Sequence, residues 1–174
     1  MFKNKKIILF AFATKDLSRS AKRLKKQAEQ SNYYDEIKIL TQENFDDNMK
    51  LVFKSITSNK KDRGYGYWFW KPFFLLKIVN EMNCGDIVHY EDIGCHIQNK
   101  NFRFNEYLKI LVNSNKWILP FQYFIDENMF SKKISFLERE EFKYTKSDLL
   151  DYFGFLNNHE IINSAQFWAG SFFL

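Results

Sequence analysis

The feature that most constrains the fold is a short apolar run near the start of the sequence. Residues 6 to 13 read KIILFAFA and are bounded by polar residues, a pattern typical of a strand buried on both faces of a sheet. Residues 16 to 30 follow as a basic helix with one apolar stripe, formed by Leu17, Ala21, Leu24 and Ala28. Residues 36 to 40, EIKIL, predict a second strand. This part of the chain therefore predicts a βαβ unit with parallel strands and a right-handed crossover.

Similar patterns predict the remaining elements and an α/β fold. A helix begins at Pro72, which suits the first helical position, and its narrow polar stripe predicts that it is largely buried. Residues 86 to 92, DIVHYED, predict a third strand, and residues 104 to 112 predict an amphipathic helix. A capping-box pattern predicts a short helix over residues 146 to 153. The final residues, 167 to 174, predict a core strand with an uncovered edge, so an incomplete domain and an edge buried by a partner both stay open.

The composition fits one domain over residues 1–174. The 20 Phe, 9 Tyr and 4 Trp make it unusually aromatic, and only 6 Gly and 2 Pro argue against disorder. Cys84 and Cys95 lack the number and spacing of a disulfide framework or a zinc site. The first apolar run is too short for a signal peptide, and no apolar window approaches the ~20 residues that span a bilayer, so a cytoplasmic location is expected. The net charge of +5 favours an anionic partner.

Polar residues at the ends of the predicted strands are the first candidates for a site, because open α/β sheets bind ligands beyond the carboxyl ends of their strands. Those ends carry Thr14, Thr41 and Asp92, and no dinucleotide-binding G-x-G-x-x-G or P-loop motif accompanies them. A carboxylate at the tip of a buried strand is unfavourable unless it meets a cation, a metal or a ligand hydroxyl, which favours Asp92. Side-chain alternation predicts that Tyr90 shares its face. A capping or turn role is the competing interpretation of Asp92.

Two long motifs resemble those of small bacterial GT-A-type glycosyltransferases, which are found among the enzymes of capsule and lipooligosaccharide biosynthesis. Residues 63–72 read RGYGYWFWKP, and residues 85–95 read GDIVHYEDIGC. Residues 143–149, KYTKSDL, and 166–170, QFWAG, add weaker support, and the resemblance covers nearly the whole chain. It implies a GT-A-like, nucleotide-sugar-binding and Rossmann-like three-layer sandwich with a mostly parallel central sheet.

The resemblance implies transfer of a sugar from a nucleotide-sugar donor, here a UDP-sugar, to a surface glycan or lipid-linked glycan acceptor. It gives Asp92 the role of the DxD motif, which holds Mn²⁺ or Mg²⁺ against the diphosphate of the leaving group. The sequence departs from that motif, because Gly94 stands where a second carboxylate is expected. The alternatives to a metal are Asp92 with water, or the cations of Arg63 and Lys71.

The resemblance also implies roles for residues outside the metal motif. Arg63 and Lys71 face the diphosphate, together with the amino-terminal end of the helix near Pro72. Thr14 holds the nucleoside, although a helix N-cap is an equal interpretation. Gln166 and Gly170 approach the donor sugar and the acceptor, although relief of crowding inside a strand is an alternative interpretation of Gly170.

Four large rings lie in the first motif, at Tyr65, Tyr67, Trp68 and Trp70. We predict that two or three of them pack against the sheet and that one or two line the pocket, because large aromatic residues are usually buried. On this basis Trp68→Ala or Trp70→Ala mainly unfolds the protein.

Other functions stay open at this point. A catalytically silent or truncated domain of the same fold would bind a nucleotide or a partner subunit without transferring sugar. A basic stripe on the first helix is either a solvated face or a peripheral contact with the inner face of the membrane, and it comprises Arg19, Lys22, Arg23, Lys25 and Lys26. A nucleic-acid-binding module is disfavoured, because neither an RNP-type nor a helix-turn-helix pattern frames the basic and aromatic residues.

Overall fold

A computed structural model describes residues 5–57, 64–99, 102–122 and 140–174. The chain divides into two compact units, one formed by Met1–Leu119 with Gly170–Leu174 and the other by Pro120–Ala169. The sequence prediction of one domain over residues 1–174 stays a prediction. Of the helices described, none is long and apolar enough to cross a membrane.

The first unit opens with the predicted βαβ unit. Strand β1 covers Ile7–Phe12, helix α1 covers Ser18–Ser31, and strand β2 covers Glu36–Leu40. The two strands are parallel, with Ile8 opposite Glu36 and Phe12 opposite Leu40. All residues of β1 after the first are buried, which confirms a strand covered on both faces.

The rest of the first unit adds two strands and three helices. Helix α2 covers Asp47–Ile56, α3 covers Trp70–Glu81, β3 covers Ile87–Glu91 and α4 covers Phe102–Asn113. Strand β3 is parallel to β1, and the last strand in the chain, β5 at Phe167–Phe173, belongs to this unit from Gly170 onward and runs antiparallel to β3. The fold is therefore α/β, as predicted, and its sheet is mixed.

The sheet has five strands in the order β2-β1-β3-β5-β4, in which β4 covers Leu119–Gln122. Strand β5 thus has a neighbour on each side. The prediction that the final strand presents an uncovered edge was wrong, because β4 comes earlier in the chain and its short apolar sequence was not assigned to the sheet.

The core of the first unit lies on both faces of its strands. One face packs against α2 and α3, through Ile8, Phe10, Phe12, Val88, Tyr90, Met49, Trp70, Phe74 and Ile78. The opposite face packs against α1, through Leu9, Ala11, Ala13, Leu24 and Ala28. Successive residues of β1 therefore contribute to opposite cores, and the strands lie between two layers of helices.

Helix α3 differs from its prediction in two respects. It begins at Trp70, so Pro72 occupies the third helical position, and the Lys71 N–H already donates to the Trp68 carbonyl at 3.0 Å. Its Trp70, Phe74 and Ile78 are buried, whereas Leu76 is 63% exposed within the described structure. The prediction of a largely buried helix was wrong, because α3 covers the sheet with one face only.

The second unit contains two short helices, α5 at Ser147–Tyr152 and α6 at His159–Ile162. Helix α5 confirms the predicted short helix, but the capping box is not formed. The Thr145 hydroxyl donates to the Glu141 carboxylate instead of capping the helix, and the N-cap Lys146 makes no side-chain capping bond.

Candidate functional site

A cavity of about 400 Å³ lies in the first unit at the carboxyl ends of β1 and β3. This volume falls within the ~300–1,000 Å³ that small-molecule sites occupy. The cavity is lined by Phe12, Thr14, Leu17, Gly64, Tyr65, Trp68, Trp70, Tyr90, Asp92, Ile93 and Gly94. The two motifs that carry the family resemblance therefore meet around one space, where open α/β sheets bind their ligands.

One wall of the cavity is a left-handed turn at residues 64–68. All five residues have positive φ, between 52° and 81°, and the Trp68 N–H donates to the Gly64 carbonyl at 3.1 Å. A Cβ on Gly64 would lie 2.3 Å from the Trp68 ring, so only glycine fits beneath that indole. The Trp70 indole N–H also donates to the Gly64 carbonyl, at 3.1 Å. The glycine thus allows the close packing that holds both tryptophans.

Three of the four rings of the first motif, Tyr65, Trp68 and Trp70, line the cavity, whereas Tyr67 is 64% exposed and is not among the lining residues. Trp70 is 5% exposed and stacks on Phe12 with ring centroids 4.2 Å apart. Tyr65 stacks on Phe53, and its hydroxyl donates to Gln42 Oε1 at 2.6 Å. Trp68 lines the cavity and is 41% exposed. This exposure argues against the expectation that Trp68→Ala mainly unfolds the protein, whereas Trp70 does belong to the core.

Asp92 follows β3 and is held by both main chain and side chain. Its N–H donates to the Gly170 carbonyl at 2.7 Å, which brings Gly170 of β5 beside it. Its carboxylate accepts a hydrogen bond from the Tyr90 hydroxyl and lies 3.5 Å from the Lys71 ammonium. Its side chain caps no backbone N–H of the following turn, where the Cys95 N–H donates to the Asp92 carbonyl. The side chain is therefore directed to the cavity rather than to the turn.

Glu91 lies on the other face of β3, as side-chain alternation predicts. Its carboxylate accepts from the Ser171 hydroxyl at 3.0 Å and lies 3.0 Å from His89 Nε2. His89 also approaches the Tyr34 hydroxyl, at 2.8 Å from Nδ1. His89 and Ser171 are buried, so this Ser, His and Glu cluster has no access to a substrate and acts as a structural network.

Lys71 combines a buried stem with a position beside the cavity. Its ammonium lies 4.3 Å from the centroid of the Tyr90 ring, and 15% of its side chain is exposed. Burial lowers the pKa of Lys71, and the negative charge of Asp92 opposes that shift.

Cys95 differs, because burial and the nearby Glu91 raise its thiol pKa to about 12. Cys95 is therefore a poor nucleophile.

The donor set at Asp92 does not fit a divalent cation. Mg²⁺ and Mn²⁺ prefer several oxygen ligands, and here one carboxylate faces the cavity with a lysine ammonium already beside it. Glu91 is engaged on the opposite face, and Gly94 brings no donor side chain. Within the described residues, no group of three His, Cys, Asp or Glu side chains is arranged to hold a metal ion.

The structure brings some of the predicted site residues together and leaves others apart. Thr14 lines the cavity, and its hydroxyl makes no capping bond to the short 3-10 turn that follows it. Gln166 belongs to the second unit. Arg63 lies outside the described residues. Tyr90 shares the face of Asp92, as side-chain alternation predicts, and its hydroxyl contacts the Asp92 carboxylate, a functional contact that the sequence pattern did not specify.

A second depression, of about 450 Å³, lies in the second unit. It is lined by Tyr144, Thr145, Lys146, Asp148, Leu149 and Tyr152, most of which belong to the weaker motif at residues 143–149. Because it contains neither of the two main motifs, the cavity at Asp92 is the stronger candidate.

No protein-family model matches the chain, and neither a curated protein nor a solved structure matches it. The sequence motifs and the cavity that they line are therefore the features that indicate a function.

Proposed function

We propose that the chain is a GT-A-type glycosyltransferase that takes a sugar from a UDP-sugar donor and transfers it to a surface glycan or lipid-linked glycan. The observation that carries the proposal is the single cavity lined by Thr14, Trp68 and Asp92, with the Lys71 ammonium next to Asp92. A nucleotide-sugar needs a flat apolar surface, hydroxyl partners and a cation, and these residues offer all three.

In the proposed complex, each part of the donor meets a matching group. The exposed Trp68 indole provides a stacking surface for the base, and the Thr14 hydroxyl provides a hydrogen-bonding partner for the nucleoside. The Asp92 carboxylate accepts from a hydroxyl of the ribose or sugar. In the transfer step, an acceptor oxygen forms a bond to the anomeric carbon while the bond from that carbon to the diphosphate oxygen breaks. The nucleoside diphosphate leaves with the electron pair, and the acceptor hydroxyl passes its proton to the leaving diphosphate or to solvent water.

Binding of UDP tests the proposal directly. We expect UDP and UDP-sugars to quench tryptophan fluorescence, and the quenching to persist in Trp117→Phe but to be largely lost in Trp68→Phe. Trp117 is a matched control because it is 89% exposed and does not line the cavity. Calorimetry on the same variants measures affinity independently of fluorescence. If no UDP species binds the unmodified chain in either experiment, the proposal is wrong.

A second candidate is a domain that binds the nucleotide without transferring sugar. The observation that favours it is that Asp92 is the one acidic residue among the described residues lining the cavity, and it is already paired with Lys71. Incubation with UDP-sugars, followed by quantification of released UDP, separates the two candidates. An active transferase releases UDP as it transfers the sugar to water or to an added glycan, whereas a binding domain returns the donor unchanged.

The proposed place of action is the cytoplasmic face of the inner membrane, where lipid-linked acceptors are accessible. Exposed cations on α1 support this proposal, at Arg19, Lys22, Lys25 and Lys26. Arg23 is not part of that exposed surface, because its guanidinium donates to the carbonyls of Ile93 and Cys95 at 3.0 and 2.9 Å.

A further inference from the structure

Asp92 already has a cationic partner in the Lys71 ammonium, which a carboxylate that binds a metal ion would not need. The ammonium lies 3.5 Å from Asp92 Oδ1, on a side chain that is 15% exposed, whereas the Asp92 side chain is 46% exposed. The carboxylate therefore faces the cavity while its cation approaches from the protein side. The ammonium also makes a cation–π contact with Tyr90, 4.3 Å from the centroid of the ring.

This arrangement determines which charge the cavity accepts. An unpaired carboxylate at the cavity wall would repel a diphosphate, and a divalent cation would be the usual means of joining the two. Here the ammonium compensates the carboxylate, so the pair is neutral and does not repel an incoming diphosphate, which gains a charge-assisted hydrogen bond where one of its oxygens reaches the Lys71 ammonium. The same ammonium would repel a divalent cation bound at Asp92.

The side chains near Asp92 also do not suit a divalent cation. Glu91, the nearest second carboxylate in sequence, is bound by Ser171 on the opposite face of β3. Gly94 replaces the second acid of the metal-binding motif. The Tyr90 hydroxyl occupies one further acceptor position on Asp92 Oδ1. The oxygen ligands that a divalent cation requires are thus absent from this part of the described structure.

We propose that Lys71 replaces the divalent cation in this cavity, so that a nucleoside diphosphate binds through the Lys71 ammonium without metal, and that Asp92 is the residue that positions Lys71. The inference rests on the proposed function for the identity of the ligand. It concerns only whether Lys71 or a divalent metal ion accompanies the diphosphate, so it can be wrong even if the chain binds a nucleotide.

The test is calorimetric titration of UDP into the unmodified chain and into three variants, each in EDTA and in Mn²⁺. Lys71→Met removes the cation, Lys71→Arg retains it, and Lys77→Met is the matched control because Lys77 is an exposed lysine of the same helix. We expect the unmodified chain to bind UDP with the same affinity in both buffers. We expect Lys71→Met to bind about 10- to 100-fold more weakly in EDTA, as the loss of a charge-assisted hydrogen bond predicts, and Lys77→Met to be unchanged.

Two outcomes overturn the inference while leaving nucleotide binding intact. One is UDP binding by the unmodified chain that tightens about tenfold or more when Mn²⁺ replaces EDTA. The other is a folded Lys71→Met variant that binds UDP as tightly as the Lys77→Met control. If circular dichroism shows that Lys71→Met does not fold, two measurements still test the inference. They are the UDP affinity of the unmodified chain in EDTA compared with Mn²⁺, and the UDP affinity of Lys71→Arg in EDTA. Absence of UDP binding by the unmodified chain in both buffers overturns the proposed function itself.

Discussion

At the scale of single residues, the most unusual feature is the left-handed turn that forms the cavity wall. Tyr65, Tyr67 and Trp68 adopt positive φ of 52°, 54° and 60°, which costs roughly 1–2 kcal/mol for each residue with a side chain. The stacking of Tyr65 on Phe53 and the Trp70 hydrogen bond to Gly64 oppose that cost. Strain of this kind is often found where a side chain must be held towards a ligand.

The turn makes a prediction about Tyr67, whose side chain is 64% exposed. We expect Tyr67→Gly to be more stable than Tyr67→Ala by about 1 kcal/mol, because glycine adopts positive φ without the steric cost. Leu76 in α3 provides the reverse control, since there glycine should be less stable than alanine by about 1 kcal/mol. Urea denaturation measures both pairs. A stability order that favours alanine at Tyr67 would contradict the left-handed turn.

The two tryptophans of the first motif should respond differently to truncation. Trp70→Ala removes a ring buried against Phe12 and should lower the free energy of unfolding by about 3–5 kcal/mol. Trp68→Ala removes a partly exposed ring and should cost less than about 1 kcal/mol, while UDP affinity falls. Denaturant unfolding and UDP titration on both variants check this difference. Equal losses of stability would show that Trp68 is a core residue.

At the scale of elements, α1 holds the loop that carries Asp92. Arg23 donates to the carbonyls of Ile93 and Cys95, so the helix contacts the chain directly after β3. We expect Arg23→Ala to lower stability by about 2 kcal/mol, as the loss of hydrogen bonds from a charged donor predicts, and to weaken UDP binding. Lys22→Ala, at an exposed neighbouring position, should change neither quantity. Thermal unfolding with and without UDP measures both effects, and matching results for the two variants would refute this role.

The start of β1 depends on aspartates from two neighbouring turns. Asp86 accepts from the Lys6 N–H at 2.9 Å, and Asp35 accepts from the Ile7 N–H at 2.8 Å. The Lys6 hydrogen bond lowers the pKa of Asp86, and Asn83 contributes in the same direction. These two backbone groups lie at the start of β1, so their acceptors help to fix where the strand begins.

The lowered pKa of Asp86 predicts that the protein loses stability at acidic pH. Because its folded pKa lies below the ~3.9 of an unfolded chain, its contribution is present above that pH and is lost as the pH falls through the folded pKa. Asp86→Asn should be less stable than the unmodified chain at pH 7, and the difference should shrink below about pH 4. Asp151→Asn, at an exposed position, is the control. A difference that is constant from pH 7 to pH 3 would exclude this linkage.

At the scale of the whole molecule, a net charge of +5 favours anions without selecting one. When a protein binds single-stranded nucleic acid, the logarithm of its binding constant falls linearly with the logarithm of the salt concentration, with a slope of about 0.7 per phosphate contacted. A protein that binds one diphosphate in a cavity should lose less than about tenfold between low and high salt, because few charges are screened. We expect UDP binding to show the weaker dependence and oligothymidylate not to displace UDP. Displacement by oligothymidylate would favour the nucleic-acid alternative.

Sequence periodicity alone determined much of the first unit. Residues 8 to 13 of the first run and Leu24 and Ala28 of the α1 stripe are buried as predicted, because a residue's face follows from its position in a strand or helix. Leu17, also assigned to the stripe, precedes α1 and is exposed. The same rule placed Tyr90 with Asp92 and His89 with Glu91. Local periodicity could not show that β5 lies inside the sheet, because strand order depends on contacts between distant segments.

Only the tertiary structure decided how the first motif is used. Its four rings look alike in sequence, but Trp70 is buried in the core with an edge at the cavity, whereas Trp68 lines the cavity and is 41% exposed. The pairing of Lys71 with Asp92 also joins residues from a helix and a strand that no local pattern connects. The sequence thus identified the chemical groups of the candidate site, whereas packing of α3 on β3 determined which charges meet there, because electrostatic energy depends on distances in space.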